Sequence, residues 1–354
     1  MADTSNKPMF LDDELFLFAL GFGVGIYGFF KGFRTFRKYR VLADTPEMPI
    51  RSIPMGLVQV HGQAKGEERV VSPVTHTPCF FYKVDIERWK TDSKGQGSWS
   101  HDTTDAGGVK FYLEDGTGKV LIDPYNAEYD LAENGKREVS GTGTQSVQRG
   151  ASFAAGSGVR DFDLRSYVTQ AHARRFANFT EHLLTAVGPR ANPEHERARQ
   201  AAFSALELFK TPGTTPGQFP ESFQHFLTAE GPLSDPEQER KRLAALQSLE
   251  RLAQSEMARA NEPASGRYRL TEYCILPDHT YDVTGACVEN ANPKDEHDRN
   301  LIRKGQNEPT FLISWRSERE LEQALRNRAL LYIFGGAALS VVCMGILLAK
   351  LGWL

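Results

Sequence analysis

Two long stretches without charge stand out in the pattern of apolar and polar residues along the chain. They cover residues 15–30 near its start and residues 329–348 near its end. A helix crosses a bilayer with about 20 predominantly apolar residues, so we predict transmembrane helices at residues 14–36 and 328–350. A cleaved signal peptide is the competing interpretation of the first stretch. However, acidic residues precede the stretch and basic residues follow it, which is the reverse of a signal peptide.

Basic residues lie beside both predicted spans, on the side that faces the middle of the chain. By the positive-inside rule, the middle of the chain is then cytoplasmic and both ends, including the short tail 1–13, are outside. The same residues could attract anionic lipid headgroups by about 1 kcal/mol each. They are Lys31, Arg34, Arg37, Lys38, Arg40, Arg326 and Arg328. We therefore predict a two-span integral protein of a bacterial inner or plasma membrane.

Four glycines recur on one face of the first predicted span. They are Gly21, Gly25, Gly28 and Gly32. Small residues let helices approach closely in a membrane, and Gly336 and Ser340 give the second span a small surface of its own. The two spans, or two copies of the chain, could pack here; the alternative is that the bilayer merely tolerates scattered glycines. The run also matches G-x-G-x-x-G, but a nucleotide site would need a preceding strand.

Alternating apolar and polar residues predict a β-rich region between the two spans. The predicted strands lie at residues 57–62, 79–89, 109–115, 119–123, 267–274, 280–288 and 310–314. The polar stretch 91–108 predicts a loop, and the Gly- and Ser-rich stretch 140–158 predicts a mobile segment. A faint likeness between residues 57–64 and 281–288 leaves open whether the region holds one β unit or two related units.

Apolar stripes at helical spacing predict an insert of helices, at residues 176–187, 198–209 and 243–257. Such stripes are more typical of core packing than of a partner groove. Ser317, with Glu320 three residues later, predicts the start of a further helix that leads into the second span. We therefore predict a membrane-anchored α+β protein. Its β-rich domain of antiparallel strands has two parts, 37–139 and 266–326, separated by the loop and helical insert at 140–265.

Composition narrows the classes of function. The formal net charge is −3, and no basic strand carries interleaved exposed aromatic residues, so we predict no nucleic-acid partner. The chain has four cysteines, of which Cys343 lies in the second apolar stretch. They are too few and too scattered for a disulfide scaffold, and they are consistent with a reducing compartment.

No pattern in the sequence predicts a catalytic, metal or cofactor site. The nearest group of zinc-ligand residues is Cys274, His279, Cys287 and His297, whose spacing fits no common zinc site. A hydrolytic triad could be imagined from Ser98, His101 and Asp102, but polar loops contain such residues by default. Cys79 follows Pro78 in a predicted strand, and we interpret it as a core cysteine and not as a nucleophile.

Short motifs in the β-rich region carry a resemblance to a known family. They lie at residues 57–64, 72–82, 115–120, 268–272 and 281–285. In this order, and between two predicted spans, they resemble the GIDE domain of the MULAN/GIDE family, whose members are membrane-bound E3 ubiquitin ligases. The motif positions are Gly62, Pro78, Cys79, Tyr82, Asp115, Gly118, Glu272 and Gly285.

The resemblance implies a function, but the chain departs from the family because it has no RING finger pattern. Eukaryotic members carry a zinc-binding RING finger after the second span, and no C-x-x-C pair occurs in this chain. We therefore expect a prokaryote-like member without a RING. It would bind an unidentified protein partner, with the helical insert as the contact surface, or sense the state of the membrane. The alternative implied by the family is ligase-like activity that depends on a RING or an E2 enzyme supplied by another chain.

Overall fold

The computed structural model describes residues 13–140, 145–149, 163–187, 266–290, 298–305 and 310–350, with isolated positions at 196–197, 200–201, 203–204, 240, 247, 251, 255 and 293. The chain divides into two compact units. The barrel unit is drawn from Met1–Arg69, Val109–Leu131 and Ile275–Leu354, and the sheet unit from Val70–Gly108 and Ala132–Cys274. Two long apolar helices flank the β-rich part of the chain, so the fold class is α+β.

The strands are β1 (Gly56–Lys65), β2 (Val70–Val71), β3 (Pro78–Cys79), β4 (Phe81–Thr91), β5 (Gly97–Gly108), β6 (Phe111–Glu114), β7 (Lys119–Ile122), β8 (Glu128–Asp130), β9 (Glu133–Ser140), β10 (Gln145–Arg149), β11 (Arg267–Ile275), β12 (Thr280–Glu289), β13 (Asn300–Arg303) and β14 (Leu312–Ser314). The long helices among the described residues are α1 (Asp13–Asp44), α2 (Leu164–Val187) and α3 (Glu318–Lys350). A short 3-10 helix, Ile50–Ser52, lies between α1 and β1.

Five strands of the barrel unit close into a ring. Strand β1 pairs with β6 near its end and with β12 along most of its length, and the ring continues from β6 through β7 and β13 back to β12. The pair of β7 and β13 is parallel, and the other pairs of the ring are antiparallel. Strands β14 and β8 extend the sheet from β12. Closure leaves these five strands without an open edge along the ring.

The inside of the ring is apolar because alternate residues of each strand point inward. Side chains with no exposed surface include Val58, Val60, Phe111, Leu113, Ile122, Val283 and Ile302. Burial of each such side chain stabilises the fold by about 1.5–3 kcal/mol relative to leaving it exposed. The barrel is therefore held by an ordinary hydrophobic core.

The sheet unit contains a five-stranded sheet in the order β10-β9-β11-β4-β5. Helix α2 lies over one face of this sheet, where Tyr167 and Val168 join a cluster with Val84, Ile86 and Leu270. The opposite face carries mostly polar side chains. Strands β2 and β3 form a separate two-stranded pair.

The structure confirms the predicted strands at residues 57–62, 79–89, 267–274, 280–288 and 310–314 and the hairpin that turns at 115–118, with small shifts of their ends. The two similar segments, 57–64 and 281–288, belong to β1 and β12, which pair with each other in one unit.

Other predictions were wrong. Residues 91–108 are not a loop, because β5 fills most of this stretch and pairs along β4. The predicted mobile segment 140–158 includes β10, which is paired with β9. Not all strands are antiparallel, since β7 with β13 and β8 with β14 form parallel pairs.

The predicted helix at 176–187 is confirmed, and it begins earlier than its apolar stripe, at Leu164. The predicted helices at 198–209 and 243–257 lie largely outside the described residues.

Candidate functional site

The predicted membrane segments are the helices α1 and α3, which pack against each other in the barrel unit. They contain 32 and 33 residues, which corresponds to lengths of about 48 and 50 Å. Both are long and apolar enough to cross a membrane. Large apolar side chains cover the outside of the pair: Leu331 is 70% exposed and Val341 is 72% exposed. A surface of this kind suits contact with lipid and is unusual in a monomeric soluble protein.

The glycine face of α1 lies directly against α3. A Cβ atom added to Gly25 would lie 2.8 Å from the carbonyl oxygen of Gly336 and 2.8 Å from the backbone nitrogen of Ser340. One added to Gly32 would lie 2.8 Å from the backbone nitrogen of Ile333. These distances are too short for a real side chain, so the two backbones are in contact. The structure brings the six predicted small residues together within one chain: Gly21, Gly25, Gly28, Gly32, Gly336 and Ser340.

The basic residues of the first span lie on a helical continuation of α1, residues 31–44, which we call the stalk. The stalk is about 20 Å long. Lys31 Nζ lies 5.2 Å from the ring centroid of Tyr332 on α3. Further along the stalk, Lys38 Nζ donates to both carboxylate oxygens of Glu128 at 2.6 and 2.8 Å. The remaining residues predicted at the headgroups are exposed along the stalk and at the start of α3: Lys31, Arg34, Arg37, Arg40, Arg326 and Arg328.

Two glycines of the family-like motifs occupy tightly packed positions in the barrel. A Cβ atom on Gly62 would lie 2.6 Å from the carbonyl oxygen of Glu114, which is on the neighbouring strand β6. A Cβ atom on Gly285 would lie 2.7 Å from the ring of Phe311 and 2.9 Å from the side chain of Ile302. Both positions therefore require glycine for packing, independently of any ligand.

Asp115 organises the turn between β6 and β7. Its Oδ1 atom accepts hydrogen bonds from the backbone nitrogens of Thr117 and Gly118 at 2.6 and 2.9 Å, and its Oδ2 atom accepts one from the nitrogen of Ile50 at 2.9 Å. Partial burial favours a higher pKa for this carboxyl, but these hydrogen bonds outweigh burial and lower its pKa below the usual value. The turn is thereby fixed to the 3-10 helix.

A buried carboxylate, Glu272, is the centre of a polar cluster in the sheet unit. Its Oε1 atom accepts hydrogen bonds from Ser72 Oγ at 2.9 Å and Asn134 Nδ2 at 3.0 Å, and also one from Thr75 Oγ1. Its Oε2 atom accepts one from the backbone nitrogen of Val74 at 2.8 Å. The side chain has no exposed surface. Protein donors therefore satisfy both carboxylate oxygens of Glu272, and these hydrogen bonds fix the segment that connects β2 and β3.

Two cysteines lie beside this carboxylate. Cys274 Sγ is 3.8 Å from Oε1 of Glu272, and both Cys274 and Cys79 are buried. A hydrogen bond with Cys79, burial and the charge of Glu272 raise the pKa of the Cys274 thiol well above its usual range. A thiol in this state is protonated at neutral pH and is a poor nucleophile and metal ligand. Cys79 and Cys274 are therefore core cysteines.

A second buried carboxylate, Asp105, attaches helix α2 to strand β5. Its oxygens accept hydrogen bonds from Arg174 Nε at 2.9 Å and Arg174 Nη2 at 2.7 Å, and from the Tyr167 hydroxyl at 2.9 Å. Burial and the neighbouring charge of Asp105 raise the pKa of Tyr167 well above its usual value, so the hydroxyl stays protonated and donates. Sequence reasoning missed this cluster because it assigned residues 91–108 to a loop.

The imagined hydrolytic triad has a different arrangement. The Oδ2 atom of Asp102 lies 3.3 Å from Nε2 of His172, which is almost fully buried on α2, whereas His101 is exposed. Asp102 is the extra residue at an irregularity in the pairing of β4 and β5. Within the described residues, no group of three or more His, Cys, Asp or Glu side chains could hold a metal ion. His297, one of the residues weighed for zinc, lies outside them.

In comparisons with known proteins, no family model, no curated protein and no solved structure matches the chain.

Proposed function

We propose that this chain is a membrane-tethered binding module without a catalytic site of its own. In this proposal α1 and α3 cross the membrane as a hairpin, and the barrel and sheet units face the cytoplasm. The observation that carries the proposal is the helix pair, which combines an exposed apolar surface with backbone contact through its glycines. Basic residues at one end of the pair support the cytoplasmic orientation.

The connections between the helix pair and the barrel support a tether. Strand β14 ends at Ser314 and α3 begins at Glu318, so only three residues separate barrel and helix. One of them, Arg316, pairs with Asp130 on β8 at 3.2 Å. Lys38 of the stalk pairs with Glu128, which lies on the same strand. These contacts would keep the barrel close to the membrane surface.

The two buried polar clusters present no catalytic group to a substrate. The carboxylates of Glu272 and Asp105 accept their hydrogen bonds from protein groups, and neither is accessible to a substrate. A general acid or base must be able to reach the proton that it transfers. Both clusters therefore have a structural role, which is to hold the elements of the sheet unit together.

Thiol labelling in intact cells tests the orientation. We expect a membrane-impermeant maleimide to label Ala2→Cys from outside, and to label Glu68→Cys only after the membrane is permeabilised. Glu68 is an exposed barrel-unit residue and the native cysteines are buried, so the introduced thiols dominate the signal. Labelling of Glu68→Cys in intact cells would contradict the proposed orientation.

A ubiquitin-transfer assay tests the absence of catalysis against the activity implied by the GIDE-like motifs. The full chain in lipid nanodiscs is mixed with E1, E2, ATP and ubiquitin, with and without a separate RING protein. We expect no transfer that depends on this chain. Conjugates that form only when the chain is present would overturn the non-catalytic proposal and support the ligase-like alternative.

A further inference from the structure

A pocket of about 310 Å³ opens in the barrel unit beside the turn between β6 and β7. Three separate segments form it: the 3-10 helix with Ile53, the turn with the start of β7, and the start of β13. Its volume lies at the lower end of the range for small-molecule sites, about 300–1,000 Å³. The proposed function does not use this pocket.

Three cationic side chains line the pocket, one from each segment: Arg51, Lys119 and Arg299. Its remaining lining contains no carboxylate. None of the three pocket cations forms an ion pair with any residue that the structure describes.

Carboxylates close in sequence to these cations are engaged elsewhere: Asp298, next to Arg299, accepts a hydrogen bond from the hydroxyl of Tyr112. Asp115 accepts hydrogen bonds from Ile50, Thr117 and Gly118, and it builds the rim of the pocket without entering its lining. Lys119 is held in place over the ring of Tyr112, with Nζ at 4.7 Å from the ring centroid. Like charges that converge on one cavity repel each other unless an anion enters it.

We infer that this pocket binds a phosphate group, carried by a soluble molecule or by a lipid. Arginine presents several donors in a planar fork that matches phosphate oxygens, and lysine adds a compact charge. Arg51 and Arg299 approach from different segments and hold the phosphate between them, with Lys119 at the base of β7. Ile53 and Val120 also line the pocket and contact the apolar part of the ligand.

The test uses the full chain in nanodiscs made only of phosphatidylcholine, titrated with inorganic pyrophosphate in a calorimeter. We expect saturable binding that weakens as salt concentration rises, because ions screen exposed charges. Arg51→Ala and Arg299→Ala should each raise the Kd by about tenfold or more, as expected for loss of a charge-assisted hydrogen bond. The matched control is Arg303→Ala, which removes an exposed arginine four residues from Arg299 and outside the pocket lining.

A second arm identifies the source of the phosphate. Nanodiscs are assembled from phosphatidylcholine with a small fraction of phosphatidic acid, and the lipid retained by the purified protein is quantified. If the wild type retains phosphatidic acid and the double variant Arg51→Glu/Arg299→Glu does not, the result supports a lipid phosphate. If the wild type binds pyrophosphate but retains no phosphatidic acid, and the double variant binds neither, the result supports a soluble phosphate. The inference is overturned if neither ligand binds, or if binding survives in the double variant while its unfolding midpoint matches the wild type. Both measurements are independent of which side of the membrane the pocket faces, so they stand apart from the proposed function.

Discussion

The helix pair and the sheet unit hold their elements together by opposite means. In the helix pair, glycines bring two backbones into contact, and the polar contribution is small: Ser340 Oγ lies 3.5 Å from the carbonyl oxygen of Phe22. In the sheet unit, α2 is fixed to β5 by a buried carboxylate that accepts hydrogen bonds from Arg174 and Tyr167. One interface depends on the absence of side chains and the other on a particular set of them.

The proposed location of the helix pair in a membrane would account for the difference. Between helices in lipid there is little hydrophobic driving force, so close van der Waals packing must supply the association. In a region surrounded by water, apolar burial supplies the driving force, and a buried charge is tolerated only when it is paired and hydrogen-bonded. A saturated carboxylate such as Asp105 then fixes one arrangement of helix and sheet.

The largest expected effect concerns the helix interface. A Cβ atom on Gly21 would lie 2.8 Å from Sγ of Cys343 and 4.0 Å from its Cβ, which is close to disulfide geometry. We expect Gly21→Cys to form an intramolecular disulfide with Cys343 nearly completely when membranes are treated with a permeant oxidant. Mass spectrometry of the linked peptides measures the yield.

The control for this experiment is Gly23→Cys, because a Cβ atom on Gly23 would have no neighbour within 4 Å. We expect little or no disulfide in this variant. If Gly21→Cys instead gives only disulfide-linked dimers, the glycine face packs between two copies of the chain.

A smaller effect is expected from the sheet unit. Asp105→Ala leaves Arg174 partly buried without its carboxylate, and loss of one partner of a buried pair destabilises by about 3–5 kcal/mol. Urea unfolding of the full chain in detergent, followed by the fluorescence of Trp89 and Trp99 in this unit, measures the loss. Asp85→Ala is the matched control on the neighbouring strand. Its ion pair with Lys83 leaves the two side chains 28% and 29% exposed, and we expect it to contribute about 1 kcal/mol. Equal losses in the two variants would contradict the structural role of Asp105.

The smallest effect concerns the turn that Asp115 organises in the barrel unit. Its pKa is lower in the folded state than the ordinary value of 3.8, so its ionised form stabilises the fold above that pH. This stabilisation is lost as the pH falls below 3.8 through the folded-state pKa. We expect the unfolding midpoint of the wild type to exceed that of Asp115→Asn near pH 6, and the gap to shrink below pH 3.8. A gap that does not vary with pH would contradict this account.

The sequence predicted those elements whose apolar and polar residues follow a simple pattern along the chain. The uncharged stretches at 15–30 and 329–348 predicted the two apolar helices, because an uncharged run of about this length is typical of a helix that could cross a membrane. The alternation in residues 79–89 predicted a strand, because one face of β4 is covered by α2 and the other carries polar residues.

Other features were hidden because they arise from tertiary contacts. Asp105 is polar yet buried on β5, since α2 supplies Arg174 and Tyr167 as its hydrogen-bond donors. A strand that is rich in polar residues and carries a buried carboxylate has the sequence pattern of a loop. The pocket cations Arg51, Lys119 and Arg299 are far apart in the chain and meet only when the barrel forms. No local sequence pattern predicts that these three residues line one pocket.

The closed ring also sets an order of events during synthesis. When Ile122 has been made, β1, β6 and β7 are available, but they form an open sheet with two unpaired edges. The strands that close the ring end at Arg303, 181 residues later. At about 5–20 residues per second, these edges stay unpaired for about 9–36 s. Unpaired strand edges can pair with another chain, so the edges of β1 and β7 are open to aggregation until β12 and β13 arrive.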